Sequence, residues 1–185
     1  MSVSITWSTT DNGVSALSTD HGESSNGGNT SEVTLYLRHD GVNEISNCGF
    51  YLQTLSSGYT GAADAATDLT EVIGWGNEDT ATGFGGFQIN MNSEGGFDDG
   101  STWDMSESQK TSSDGYKYTF RTGVGDSLAT AITLSEKMSA NMSSDGVIPA
   151  STTDVAFQCR LKVPTAEDTA GVRQFQQVLK FTFTS

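Results

Sequence analysis

VAFQCRLKV (155–163) and FQQVLKFTF (175–183) decide the fold. In the first stretch Val155, Phe157, Cys159, Leu161 and Val163 are apolar, and the residues between them, Ala156 excepted, are polar or charged. In the second, Phe175, Leu179, Phe181 and Phe183 share one parity. Alternation with a period of two marks strands with one buried face and one wet face. Pro164 stops the first run because it brings no N–H to a ladder, and residues 165–173 connect the two. Both stretches are expected inside a sheet, with Phe181 in the core and with Arg160, Lys162 and Lys180 on the wet faces.

The same rhythm recurs upstream. Val3, Ile5 and Trp7 alternate with polar residues, and Val33, Leu35 and Leu37 do so again before an Asp40-Gly41 turn. Residues 45–55 return as a hairpin partner, with Cys48, Phe50 and Leu52 on one face. Further strands are expected at 87–91, 116–120 and 129–134, and a short one at 14–17 inside a loop-rich stretch over 8–30. Residues 62–73 break the pattern: Ala62, Ala65, Ala66, Leu69, Val72 and Ile73 recur at helical spacing. Asp64, Asp68 and Glu71 fall opposite them, and Gly74 is placed to end that helix. Leu134, Met138 and Met142 suit a short helix or a loop packed by its methionines. About eight strands, one helix and long loops give an all-β antiparallel sandwich spanning 1–185 as one domain, jelly-roll-like or immunoglobulin-like.

Composition supports that class, with 21 glycines and only 35% hydrophobic residues. Charge is unevenly placed. Residues 1–109 hold sixteen acidic residues and one cation, Arg38, a balance of −15; residues 110–185 hold eight cations and seven acidic residues, +1, for the total of −14. An acidic surface repels phosphate, so neither nucleic acid nor an anionic membrane is an expected partner. No apolar run is long enough to span a bilayer. MSVSITWSTT has neither a basic start nor an apolar centre, so no signal peptide is expected and synthesis is placed in a cytoplasm. Cys48 and Cys159 lie in apolar strand patterns and read as small buried hydrophobes, with a disulfide or metal pair as the alternative.

Chemistry is sparse. His21 and His39 sit in turn-like contexts away from any nucleophile motif, and both are expected at the surface. Asp98, Asp99 and Asp104 in FDDGSTWD are a candidate Ca²⁺ cluster of hard oxygens, but their spacing departs from an EF-hand loop. The glycines of GFGGF precede neither lysine nor a helix start, so they read as close-packing or turn residues, not a phosphate loop. Trp75 and Trp103 flank this region and are candidates for stacking on a sugar ring. No cofactor is expected, and no carboxylate pair stands out for hydrolysis.

GWGNED (74–79), GGFQINMN (85–92), FRTGVGDSLATAITL (120–134) and VPTAEDTAGVRQFQQVL (163–179) resemble segments of structural proteins from tailed bacteriophages. The resemblance spans roughly residues 31–185 and carries no active-site residues. It implies a non-enzymatic β-sandwich subunit of the virion, made in the host cytoplasm: a capsid decoration (cement) protein, or a peripheral tail or baseplate part. Its expected partners are other virion proteins, the major capsid protein or tail proteins, and further copies of itself. The acidic half would then face outward and the near-neutral half would dock, through Arg160, Lys162, Arg173 and Lys180. A carbohydrate- or receptor-binding module using Trp75 and Trp103 is the reading from another class.

Overall fold

The computed structural model describes residues 5–9, 18–39, 41–55, 65–78, 85–92, 97, 116–150 and 154–183. Among them are eight strands and one α-helix: β1 (Ile5–Ser8), β2 (Val33–His39), β3 (Ile45–Thr54), α1 (Ala65–Gly76), β4 (Gly86–Asn90), β5 (Lys117–Thr119), β6 (Ile132–Thr133), β7 (Val155–Lys162) and β8 (Phe175–Phe183). Single 3₁₀ turns at Leu128–Thr130 and Glu136–Met138 flank β6. The strands form two antiparallel sheets, one ordered β1-β2-β7-β4-β5 and the other β6-β3-β8. The chain is thus the expected all-β sandwich with a short helix.

The strand order departs from chain order: β7 lies between β2 and β4, and β8 lies against β3. It also interleaves the two halves of the sequence, because β7 is flanked by β2 and β4 and β3 is paired with β8. Each sheet thus takes strands from both halves of the sequence.

The core is an aromatic cluster centred on Phe50 of β3. Its ring lies 5.6–6.2 Å from those of Trp7, Phe87, Phe120 and Phe157, edge-on to three and stacked on Phe87. Ring pairs at this spacing add to the burial of apolar area. The alternation of β7 puts Val155, Phe157 and Cys159 into this core, as expected, and both cysteines are free and buried. Burial pushes the Cys48 thiol up to about 12 and raises that of Cys159 as well, which keeps both protonated. Met138 and Met142 are buried beside β6.

Helix α1 runs past the expected stop at Gly74 to Gly76. A Cβ on Gly76 would meet the Phe120 carbonyl oxygen at 1.9 Å, and one on Gly86, which has φ +85°, would meet the Gly76 nitrogen at 2.9 Å. The glycines thus let the last turn of α1, the start of β4 and the Phe120 backbone pack without side chains between them. Asp68, expected on the polar face, is buried and accepts the Gln174 N–H at 2.9 Å.

Two expectations fail at the far end of β8. Phe181 is 37% and Phe183 49% exposed, although Phe175 and Leu179 of the same parity pack on the core. β8 is an edge strand, with β3 on one side and no strand on the other among the described residues. Alternation reports which way a side chain points, not whether the opposite sheet reaches over it. Residues 14–17 lie outside the described residues.

Phe50→Ala should destabilise by about 3–5 kcal/mol, whereas Phe181→Ala should cost no more than about 1 kcal/mol. Urea unfolding of the two variants measures the contrast.

Candidate functional site

Arg160 is 4% exposed. Its Nε donates to Gln88 Oε1 at 2.9 Å, its Nη1 lies 3.6 Å from Glu32 Oε1, and its guanidinium sits 4.4 Å above the Phe97 ring. Burying a charge requires such partners. The polar face of β7 is covered here, with Gln88, Asn90, Lys117 and Thr119 buried in the same layer. Arg160 is therefore a structural residue and leaves the proposed interface set.

Arg173 forms an ion pair with Glu71 of α1, and its guanidinium lies 5.7 Å from the Trp75 ring. The Trp75 indole N–H donates to Glu167 Oε2, and the Asn26 side chain donates to the Glu167 carbonyl oxygen. The 165–173 loop is thus fastened to α1 and to the N-terminal loop. Hydrogen bonds from the Thr169 N–H and then from Trp75 hold the Glu167 carboxyl below its ordinary value. Trp75 itself is 7% exposed, so it offers no face to a sugar ring. Lys162 ends β7 in the larger sheet, and Lys180 lies on β8 in the smaller one. The four cations are thus spread over both sheets and the 165–173 loop.

Both histidines depart from the surface expectation. His39 is fully buried: its Nε2 is 2.6 Å from the Asn43 carbonyl oxygen, and its Nδ1 accepts from the Gly41 N–H at 3.3 Å. It shapes the β2–β3 turn, and a Cβ on Gly41 would strike its ring at 2.3 Å. His21 is buried against β4 and β8. Asp98, Asp99, Asp104 and Trp103 lie outside the described residues. Among the described residues no group of three His, Cys, Asp or Glu side chains is placed to hold a metal ion.

A groove of about 350 Å³ runs between α1 and the turn after β5, lined by Leu69, Thr70, Ile73, Gly74, Asn77, Thr122 and Asp126. Asp126 is its carboxylate. Burial pushes its pKa up, but hydrogen bonds from Thr130, the Gly123 N–H and Ser127 outweigh burial and lower it. Its oxygens are committed to holding the turn.

The remaining feature is the outer edge of β8. Cys48 N–H donates to Gly146 O, Leu134 N–H donates to Cys48 O, and Leu52 N–H donates to Gly125 O, all away from β8. In an antiparallel ladder successive residues turn their peptide groups to opposite sides. Gly49, Tyr51 and Gln53 therefore face β8, where they meet Lys180, Val178 and Gln176. It follows that Phe175, Gln177, Leu179, Phe181 and Phe183 turn their peptide groups to the outer edge. No described strand takes up these groups, and the two exposed phenylalanines lie at one end of the row.

No family model, curated protein or solved structure matches this chain.

Arg160→Ala should destabilise by about 2–4 kcal/mol, because Glu32 and Gln88 lose their partner. Lys180→Ala should stay within about 0.5 kcal/mol of the parent. Denaturant melts of both variants separate a structural cation from a surface one.

Proposed function

We propose that this chain is a non-enzymatic structural subunit of a tailed-bacteriophage virion, most specifically a capsid decoration or cement protein, and that it docks by strand addition along β8. The observation that carries the reading is the outer β8 edge, five outward peptide groups long and taken up by no strand among the described residues, with Phe181 and Phe183 exposed beside it. An open edge of this length is a template for another strand: main-chain hydrogen bonds supply affinity, and side-chain pockets supply selectivity. The occupant in this reading is an extended segment of a shell protein. β8 carries one charge, Lys180, so a partner strand with a carboxylate opposite that position complements it. Elsewhere the acidic chain discourages unspecific association. The phage resemblance supplies the kind of assembly, and the edge supplies the means of joining it.

The test is co-sedimentation with shells assembled from the major capsid protein of the same genome. The parent chain should pellet with the shells. The double variant Phe181→Lys, Phe183→Lys should remain in the supernatant while melting within about 4 °C of the parent, since both side chains are solvent-facing. If the parent fails to pellet, or the double variant pellets equally well, docking through β8 to the shell is wrong.

A further inference from the structure

We infer that His21 is a pH-sensitive latch: in its neutral form it holds residues 18–25 against β4 and the inner face of β8, and its protonation frees that segment.

The geometry singles out one contact. Residues 26–30 are fixed to the end of β7 by backbone bonds: Gly27 N–H to Val163 O at 2.8 Å, Val163 N–H to Gly28 O at 3.0 Å, and Thr30 N–H to Leu161 O at 2.9 Å. The Thr30 hydroxyl accepts from Leu161 N–H as well, at 3.0 Å. Residues 18–25 have no such ladder among the described residues. Their hydrogen bonds are local, Gly22 N–H to Asp20 Oδ1, Ser24 Oγ to Ser25 O, and Gly28 N–H to Ser25 O. Among the described residues, what ties them to the sheets is His21, 7% exposed. Its ring stands edge-on to Phe87 of β4 at 5.8 Å, and its Nε2 lies 3.5 Å from the Gln177 side-chain nitrogen on β8.

That setting accepts a neutral imidazole and resists a charged one. His21 Nδ1 and Gln177 Oε1 are buried without a hydrogen-bond partner. A neutral ring has one N–H to place and can share its other nitrogen with the Gln177 amide. The imidazolium has two N–H groups and a full charge, and at least one N–H then points into a place without an acceptor. Of the groups facing the ring, Phe87 and Gln177 are uncharged. Asp20 is the acidic neighbour and favours protonation, but one of its oxygens is turned to the Gly22 N–H. Burial outweighs Asp20 and lowers the His21 pKa from 6.5. A freed His21 titrates near 6.5, so the latched form binds its proton less readily. Latching is therefore fully favourable above that value and weakens as pH falls from 6.5 toward the latched pKa. Residues 26–30, with their own bonds to β7, act as the fixed end about which 18–25 swing.

Hydrogen exchange on the isolated full chain, corrected for intrinsic rates, tests this at about pH 7.5 and about pH 5. Peptides covering 18–25 should lose protection at the lower pH, by about tenfold per unit between the two pKa values. Those covering 26–30 and 45–54 should not. In His21→Gln, which carries no titrating ring, the pH difference at 18–25 should vanish. The inference is overturned if the parent shows equal protection of 18–25 at both pH values. It is also overturned if the difference persists in His21→Gln, or if the His21 imidazole titrates at or above 6.5 by NMR. All three readings come from the chain alone, so they stand or fall apart from co-sedimentation with shells.

Discussion

The contact of Phe50 with four other rings is the interaction on which the architecture depends. Phe50 belongs to the smaller sheet, while Trp7, Phe87 and Phe157 belong to the larger one and Phe120 directly follows β5. A three-stranded sheet with a two-residue edge strand has little area of its own. Its attachment comes from side chains that β3 and β8 send across the gap, and Phe175 repeats the device by standing edge-on to Phe87. Removing the central ring would leave a cavity that several elements would have to collapse into together.

Around this centre the chain resolves two packing problems. The first is how a helix approaches a sheet at backbone distance, which Gly76 and Gly86 permit by having no side chain. The second is how the outer face of the β4–β7 pair is buried while polar. Arg160 is stacked against Phe97, bonded to Gln88 and paired with Glu32, so its charge is answered on three sides. The cations that sequence reasoning grouped as a docking patch are thus distributed by need: Arg160 to a buried layer and Arg173 to the α1 ion pair.

What could be read from the sequence was periodicity, and periodicity carried the fold class, the strands of both sheets and the helix. It could not carry pairing. The place of β7 between β2 and β4 and the edge position of β8 arise from contacts between residues far apart in the chain, to which a local pattern is blind. Burial of polar residues was hidden for the same reason. Arg160 occupies a strand position that usually faces water, and only the cover that includes Phe97 makes it interior. One signal was present: Gln177 interrupts the apolar parity of β8 between Phe175 and Leu179, which marks a place where a polar group must meet it. That group is His21, from a stretch whose Ser, Gly and Asn content reads as pure surface.

The β3–β8 ladder also governs when the molecule can form. It joins Thr54 to Phe175 and Ile45 to Phe183, so β3 waits for most of the chain to be made before it finds its neighbour. Until then the face bearing Phe50 and Leu52 has no partner on that side. Pairings between such distant segments slow folding and lengthen the life of sticky intermediates. Repulsion between chains of charge −14 acts throughout that interval, so the acidity that looks like a surface property in the finished molecule also protects the nascent one from its own kind.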